Sequence, residues 1–323
     1  MCRSAKVVCC DGQVTSTGSA PDPTNRPNPS ASSLSDEVRA DLRAVAESLA
    51  AEAAQFVRRR RDEVFGGSSE HVGAEPADGD ADPIRSKSTP TDPVTVVDTE
   101  TERLLRDRLA QLRPGDPVLG EEGGGPVAGN VPPGSVTWVL DPIDGTVNFV
   151  YGIPAYGVSI AAQVDGVSVA GAVADVVSGD VYSAALGQGA QVQGPAGRKQ
   201  LRCNAVGTLS MALLGTGFGY APARRAAQGV LLAQVMPSVR DVRRIGSAAL
   251  DLCMVASGRL DVYYEHRLNV WDWAAGALIA AEAGAQMLFP SAPVDLLVAA
   301  APGIAEEFHT VLEGLGALAP IPE

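Results

Sequence analysis

Three apolar segments in the middle of the chain constrain the fold most. Val158 to Val164 and Val167 to Val173 flank Asp165-Gly166, a strong two-residue hairpin signal. A third segment, Val181 to Ala185, follows the turn Ser178-Gly179-Asp180. Consecutive strands joined this tightly must pair antiparallel, because a parallel pair needs a crossover of a dozen residues or more. A sheet so made buries its apolar faces under helices. The expected class is α/β in the layered (α+β) sense, with alternating α-β-α-β-α layers and largely antiparallel sheets.

Helical segments to cover such a sheet are present. From Leu34, the residues Val38, Leu42, Val45, Leu49, Ala53, Phe56 and Val57 recur at helical spacing, with an end expected near Arg58 to Arg61. A second helix is expected after Asp98, where Thr99 and Glu102 have capping-box spacing, and Pro114-Gly115 ends it. Val118-Leu119 and Val136 to Leu140 read as buried strands. Farther on, Ser247 to Ser257 reads as a buried helix stopped by Gly258, and Leu260 to Tyr264 as a strand. Asp272 to Ala283 reads as an Ala-rich helix with Asp272 as N-cap. Residues 1–34, rich in Pro and Ser, read as a disordered extension, and 66–82 as a loop. The ordered part divides into halves at 35–190 and 191–323.

Composition narrows the chemistry. The net charge of −13 disfavours broad contact with nucleic acid. No apolar run approaches the 18 residues of a membrane span, and the N-terminus lacks a signal-peptide core, so a cytoplasmic protein is expected. Five scattered cysteines form no zinc or disulfide pattern, and Cys253 reads as a core residue. With only three histidines, whatever chemistry occurs must run on carboxylates and hydroxyls.

Acidic residues stand where packing would predict none. They lie in Asp92 to Asp98, in Gly120-Glu121-Glu122-Gly123, in the strand end Asp141-Pro142-Ile143-Asp144-Gly145-Thr146, and in Glu265 with Trp271-Asp272. Taken singly, each has a plain reading: an acidic turn, a solvated loop, a helix-start acid, a charged strand end, an N-cap. Taken together, they supply the hard oxygen ligands of a multi-cation phosphoester site. Two carboxylates three apart and the Ile143 carbonyl suit Mg²⁺, while the Gly145 and Thr146 amides suit a phosphate oxygen.

In this order, the segments resemble the inositol monophosphatase family, from about residue 35 to 315. Arg244-Ile-Gly-Ser-Ala-Ala249 matches a further family segment, and details are similar to its actinobacterial SuhB-type branch. The resemblance implies that Glu121, Asp141 and the Ile143 carbonyl bind one Mg²⁺, and that Asp141, Asp144 and Asp272 bind a second. A third, weaker ion is implied near Glu121. Asp98 and Thr146 are implied to orient and deprotonate the attacking water, with Glu121 counted among the catalytic residues. Ile143, Asp144, Gly145 and Thr146 would surround the phosphate. Ser247, Ala248 and Glu265 would face the polyol, and Lys87 and Glu122 would support the metal loop.

The implied reaction is hydrolysis of inositol-1-phosphate, with lithium inhibition and a homodimer. Alternatives are fructose-1,6-bisphosphate, histidinol phosphate or a nucleotide 3′-phosphate as substrate. A regulatory partner of the transcription machinery is a different class, with Arg58 to Arg61 as its contact.

Overall fold

The computed structural model describes residues 34–66, 84–86, 93–126, 131–290, 292 and 295–321. The expected N-terminal extension up to residue 33, the loop beyond Gly66, and the residues Lys87 and Asp92 lie outside the described residues.

The described residues open with helix α1 (Asp36–Phe65), capped by the Ser35 side chain, which accepts from the Val38 amide. A short ribbon, β1 (Ile84–Ser86) with β2 (Pro93–Thr95), leads into α2 (Val96–Leu112). The first large sheet follows, with β3 (Val118–Gly120), β4 (Val136–Asp144), the short α3 (Thr146–Tyr151), β5 (Gly157–Val164), β6 (Val167–Asp175), β7 (Val181–Ala185), β8 (Ala190–Gly194) and β9 (Gly197–Gln200). Its strands lie in sequence order, parallel only between β3 and β4. The hairpin turn has positive φ at both Asp165 and Gly166, the twist that two-residue hairpins require.

The second sheet comes from β10 (Leu213–Thr216), α4 (Pro222–Val235), β11 (Asp241–Arg243), α5 (Ala248–Ala256), β12 (Val262–His266), α6 (Val270–Glu282), β13 (Gln286–Leu288), β14 (Leu296–Ala300) and α7 (Ala305–Gly314). Its order is β11-β10-β12-β14-β13, with parallel pairing around β10 and antiparallel pairing around β14.

Four apolar clusters define the expected five layers. Leu42, Leu49, Val57 and Leu105 of α1 and α2 pack with Trp138, Leu140 and Ile160 on one face of the first sheet. Val139, Ala161 and Val173 on its other face meet Leu250, Cys253, Ala275 and Ile279 of α5 and α6. The same two helices cover Tyr263, Leu297 and Ala299 of the second sheet. Val262, Tyr264 and Val298 on the far face of that sheet pack against Val235 of α4 and Phe308 and Leu312 of α7. Cys253 is a core residue, as its apolar setting implied.

The middle layer is thin because its residues are small. Residues 274–280 of α6 are all buried, and five of the seven are Ala or Gly. A methyl at Gly171 of β6 would stand 3.1 Å from the Ala275 backbone, so sheet and helix touch with nothing to spare.

Several boundaries differ from expectation for local reasons. α1 continues to Phe65 because its arginines bond sideways rather than closing a helix end. Arg58 donates to the Val176 carbonyl, Arg60 to Glu100, and Arg61 to the Phe149 carbonyl. α2 starts at Val96: the capping box is Thr95 with Asp98, not Thr99 with Glu102. Asp272 is not the N-cap of α6 but its third residue, closing a box with Asn269. β12 starts at Val262 because the Leu260 amide is still bonded to Met254 at the end of α5. Among the described residues, no helix is long and apolar enough to cross a membrane.

The close fit of the middle layer has a measurable consequence. Ala275→Leu should lower the unfolding free energy by about 1–3 kcal/mol through overpacking. Val230→Ala, at a 63% exposed position, should change it by less than about 0.5 kcal/mol. Urea midpoints of the two variants test this; equal midpoints would show that the layer has slack.

Candidate active site

One cavity of about 370 Å³ opens where the C-terminal end of β4, the N-termini of α3, α5 and α6, and the end of β12 converge. Its walls include Glu121, Asp141, Ile143, Asp144, Gly145, Thr146, Ser247, Ala248, Glu265 and Asp272. The structure thus brings together the expected acids from three distant segments. Asp98 stands behind Thr146, within hydrogen-bond reach of it. Lys87 lies outside the described residues. Glu122 is not on the cavity wall and enters through its backbone amide.

Local backbone chemistry aims each acid. β4 does not stop before Asp141 but runs to Asp144, with a register shift against β5 between those residues. Pro142 sits within that irregularity, where its missing N–H costs no ladder bond. The Asp141 Oδ1 accepts from the Ile143 amide at 3.1 Å, which folds the strand end into a hook. Gly145 then turns the chain with φ of 97°, and a Cβ there would stand 3.0 Å from the Gly246 carbonyl oxygen. Asp144 Oδ2 accepts from Ser247 Oγ at 2.7 Å and from the Ala249 amide at 2.6 Å, so it caps α5. Asp272 Oδ2 accepts from the Asn269 amide at 2.6 Å.

Asp98 is fully buried. Its Oδ2 accepts from the Thr95 amide at 2.9 Å and from Thr95 Oγ1 at 2.6 Å, leaving Oδ1 to accept from Thr146 Oγ1 at 3.1 Å. The Thr146 hydroxyl has a second acceptor, the Ile143 carbonyl at 3.0 Å. That carbonyl is therefore paired, and it competes with Asp98 for one proton.

The electrostatics are those of crowded anions. Asp141 is pushed well above the usual carboxylate range, first by burial and then by the charges of Glu121, Asp144 and Asp272. Asp272 is raised for the same reasons. Asp144 rises to about 6, since burial outweighs the bonds from Ser247 and Ala249 that favour its anion. Glu265 rises to about 7 by burial, offset by the hydroxyl of Tyr263, which donates to Glu265 Oε2 at 2.6 Å, and by Arg244.

Among the described residues, no three acidic, His or Cys side chains close into a ready ligand cage. Asp144 and Asp272 have turned oxygens toward helix N-termini. The donor set nevertheless fits divalent cations of the hard class, because it consists of carboxylate and carbonyl oxygens. The strongest charges acting on Asp141 are all negative, so a cation is the counter-charge this wall calls for.

Other residues of the site escaped the sequence reading. Asp251, 1% exposed, lines the cavity near Glu265, and Arg224, Arg244 and Arg267 also line it. Asn148 pins two loops by donating to the Ala155 and Ile245 carbonyls. Gly217 leaves the space that Glu265 fills, since a Cβ there would overlap Oε2 at 1.8 Å. His266 reaches the wall, but its Nε2 donates to the Ala317 carbonyl at 2.8 Å. Arg244 stood in the segment 244–249 that resembles the family but carried no assigned role, and Asp251, a lone charge on an apolar helix, was given none either.

Comparison with known proteins agrees with this geometry. Residues 39–315 match the model of the inositol monophosphatase family. The chain is 68% identical over 286 residues to an inositol-1-monophosphatase of Mycobacterium leprae, covering 87% of this chain and 96% of that one. It is 65% identical over 293 residues to the inositol-1-monophosphatase SuhB of Mycobacterium tuberculosis strain H37Rv, covering 89% and 99%. The solved structure of Mycobacterium tuberculosis SuhB superposes with a TM-score of 0.73 at 60% identity, over 87% of this chain and 99% of that one. The chain belongs to the inositol monophosphatase family.

Proposed function

We propose that this protein is a Mg²⁺-dependent phosphatase that hydrolyses inositol-1-phosphate to inositol and phosphate. The observation that carries this reading is one cavity, sized for a small ester, lined by Glu121, Asp141, Asp144 and Asp272 together with Glu265 and arginines. The mycobacterial relatives named inositol-1-monophosphatase support the substrate.

Glu121, Asp141 and the Ile143 carbonyl would hold one cation, and Asp141, Asp144 and Asp272 a second, with a weaker third near Glu121. Bound cations supply neutralisation of the phosphate dianion and acidification of water. The protein's own groups then do the positioning. Thr146 Oγ1 donates to Asp98 Oδ1 and leaves a lone pair for the proton of the attacking water, so that proton can pass through Thr146 to Asp98. Thr95 holds the other Asp98 oxygen, which fixes the receiving one. The Gly145 and Thr146 amides are assigned to phosphate oxygens. Glu265, held by Tyr263, is assigned to polyol hydroxyls with Ser247 and Ala248 beside it. Lithium inhibition and a homodimer belong to the same proposal. Of the four arginines assigned to the regulatory alternative, Arg58, Arg60 and Arg61 are engaged within the molecule, while the Arg59 side chain is 65% exposed.

Phosphate release from inositol-1-phosphate, fructose-1,6-bisphosphate, histidinol phosphate and a 3′-nucleotide should give the highest kcat/KM for the first. No turnover of inositol-1-phosphate would sink the assignment. Asp98→Asn should lower kcat by about 10²–10⁴ while the protein remains folded, the range for loss of a general base. A kcat within threefold of wild type would remove Asp98 from the relay.

The raised carboxyl pKa values set a pH dependence. Acids whose pKa is higher in the fold hold more protons there than in the unfolded chain. Their contribution to stability therefore falls as pH rises from about 4. For Asp144 and Glu265 that fall is complete above about 6 and about 7. Cation binding displaces those protons and strengthens as they leave. The Tm increase produced by Mg²⁺ should thus be larger at pH 8 than at pH 6. An equal increase at both would show that the buried acids do not bind the ion.

A further inference from the structure

Glu102 was expected to close a helix cap. The structure instead sets its carboxylate between Arg106 of the same helix and the loop that carries Glu121. Glu102 is 2% exposed. Its Oε2 accepts from the Glu122 amide at 2.7 Å, and its Oε1 from the Gly123 amide at 2.8 Å. The same Oε1 accepts from Arg106 Nε at 2.7 Å. Arg106 then reaches both sides of the loop, donating to the Gly124 carbonyl at 2.5 Å and to the Val118 carbonyl at 3.4 Å.

The loop is shaped around this pair. A Cβ at Gly120 would stand 2.4 Å from the Glu102 carboxyl carbon, and one at Gly123 would stand 2.7 Å from Oε1 and 3.0 Å from Arg106 Nη2. Neither glycine has positive φ, so backbone strain does not explain them. What both leave open is space for a carboxylate. Glu102 also lies one turn beyond Asp98 on α2, so one helix face holds the relay acid and the loop clamp.

We infer that Glu102, backed by Arg106, is a positioning residue that fixes the Glu121 loop and thereby sets the affinity of the site for divalent cations. Two backbone amides held by one buried carboxylate leave the loop little freedom, so the Glu121 oxygens need not be ordered when an ion arrives. Glu102 itself does not line the cavity. A buried acid that bonds two amides and a guanidinium at once cannot be replaced by an amide, whose NH₂ would face donors.

The inference rests on the reading of Glu121 as a cation ligand, and the test separates the two. Mn²⁺ and Mg²⁺ binding to the full-length protein is measured by calorimetry, with folding checked by circular dichroism. Glu102→Gln should weaken binding about tenfold or more, the usual effect of losing a group that supports a metal ligand. Glu52→Gln, which removes one charge from the exposed Arg108–Glu52 pair, should bind within twofold of wild type. If Glu102→Gln fails to fold, Gly123→Ala serves, because its methyl pushes on Oε1 and should weaken binding in the same direction. A folded Glu102→Gln, or in its place a folded Gly123→Ala, that binds as wild type does would overturn the clamp. Wild-type protein that binds neither ion would overturn the reading of Glu121 instead.

Discussion

The burial of several carboxylates close to one another is the constraint around which this molecule is arranged. Asp98, Asp141, Asp144, Asp272 and Glu102 are each tied to at least one backbone amide. Three of those amides belong to the starts of helices α2, α5 and α6, where the backbone's unpaired N–H groups and dipole favour negative charge. The fold thus holds anions close together without pairing each to a cation. The energetic cost remains visible in the raised pKa values of Asp141, Asp144 and Asp272. That residual cost is what makes the cluster receptive to divalent ions.

The layers explain how such helix starts come to face one point. α5 and α6 lie between two sheets and are built largely of Ala, Leu and Gly, so they approach both sheets closely. Their N-termini arrive beside the end of β4 from one sheet and the end of β12 from the other. A bulkier middle layer would hold the sheets apart and separate Asp144 from Ser247.

Much of this was legible in the sequence. The meander over residues 158–185 gave the first sheet because its apolar runs and turns are local. The acids at 121, 141, 144 and 272 stood out because charge at the end of an apolar run has no packing role. Less legible were elements with weak local signals. β9 is exposed throughout and β11 nearly so, and neither is long enough to carry a pattern that marks a strand. The start of α2 was misplaced because Thr95–Asp98 and Thr99–Glu102 offer overlapping caps, and only tertiary contact with the loop decides between them. Asp251, Arg224 and Arg267 could not be found from spacing, since their importance comes only from where long-range packing sets them.

The bond between Asp144 and the first turn of α5 spans 105 residues of sequence and joins a strand of one sheet to a helix leaning on the other. A carboxylate in that place registers the distance between the two sheets. Any slippage of one slab over its neighbour must first stretch this contact or withdraw the oxygen from the cavity. Mechanical coherence of the scaffold and readiness of the pocket are therefore the same property. Changes remote from the cavity that loosen the central layer will be felt there as altered geometry before the molecule melts.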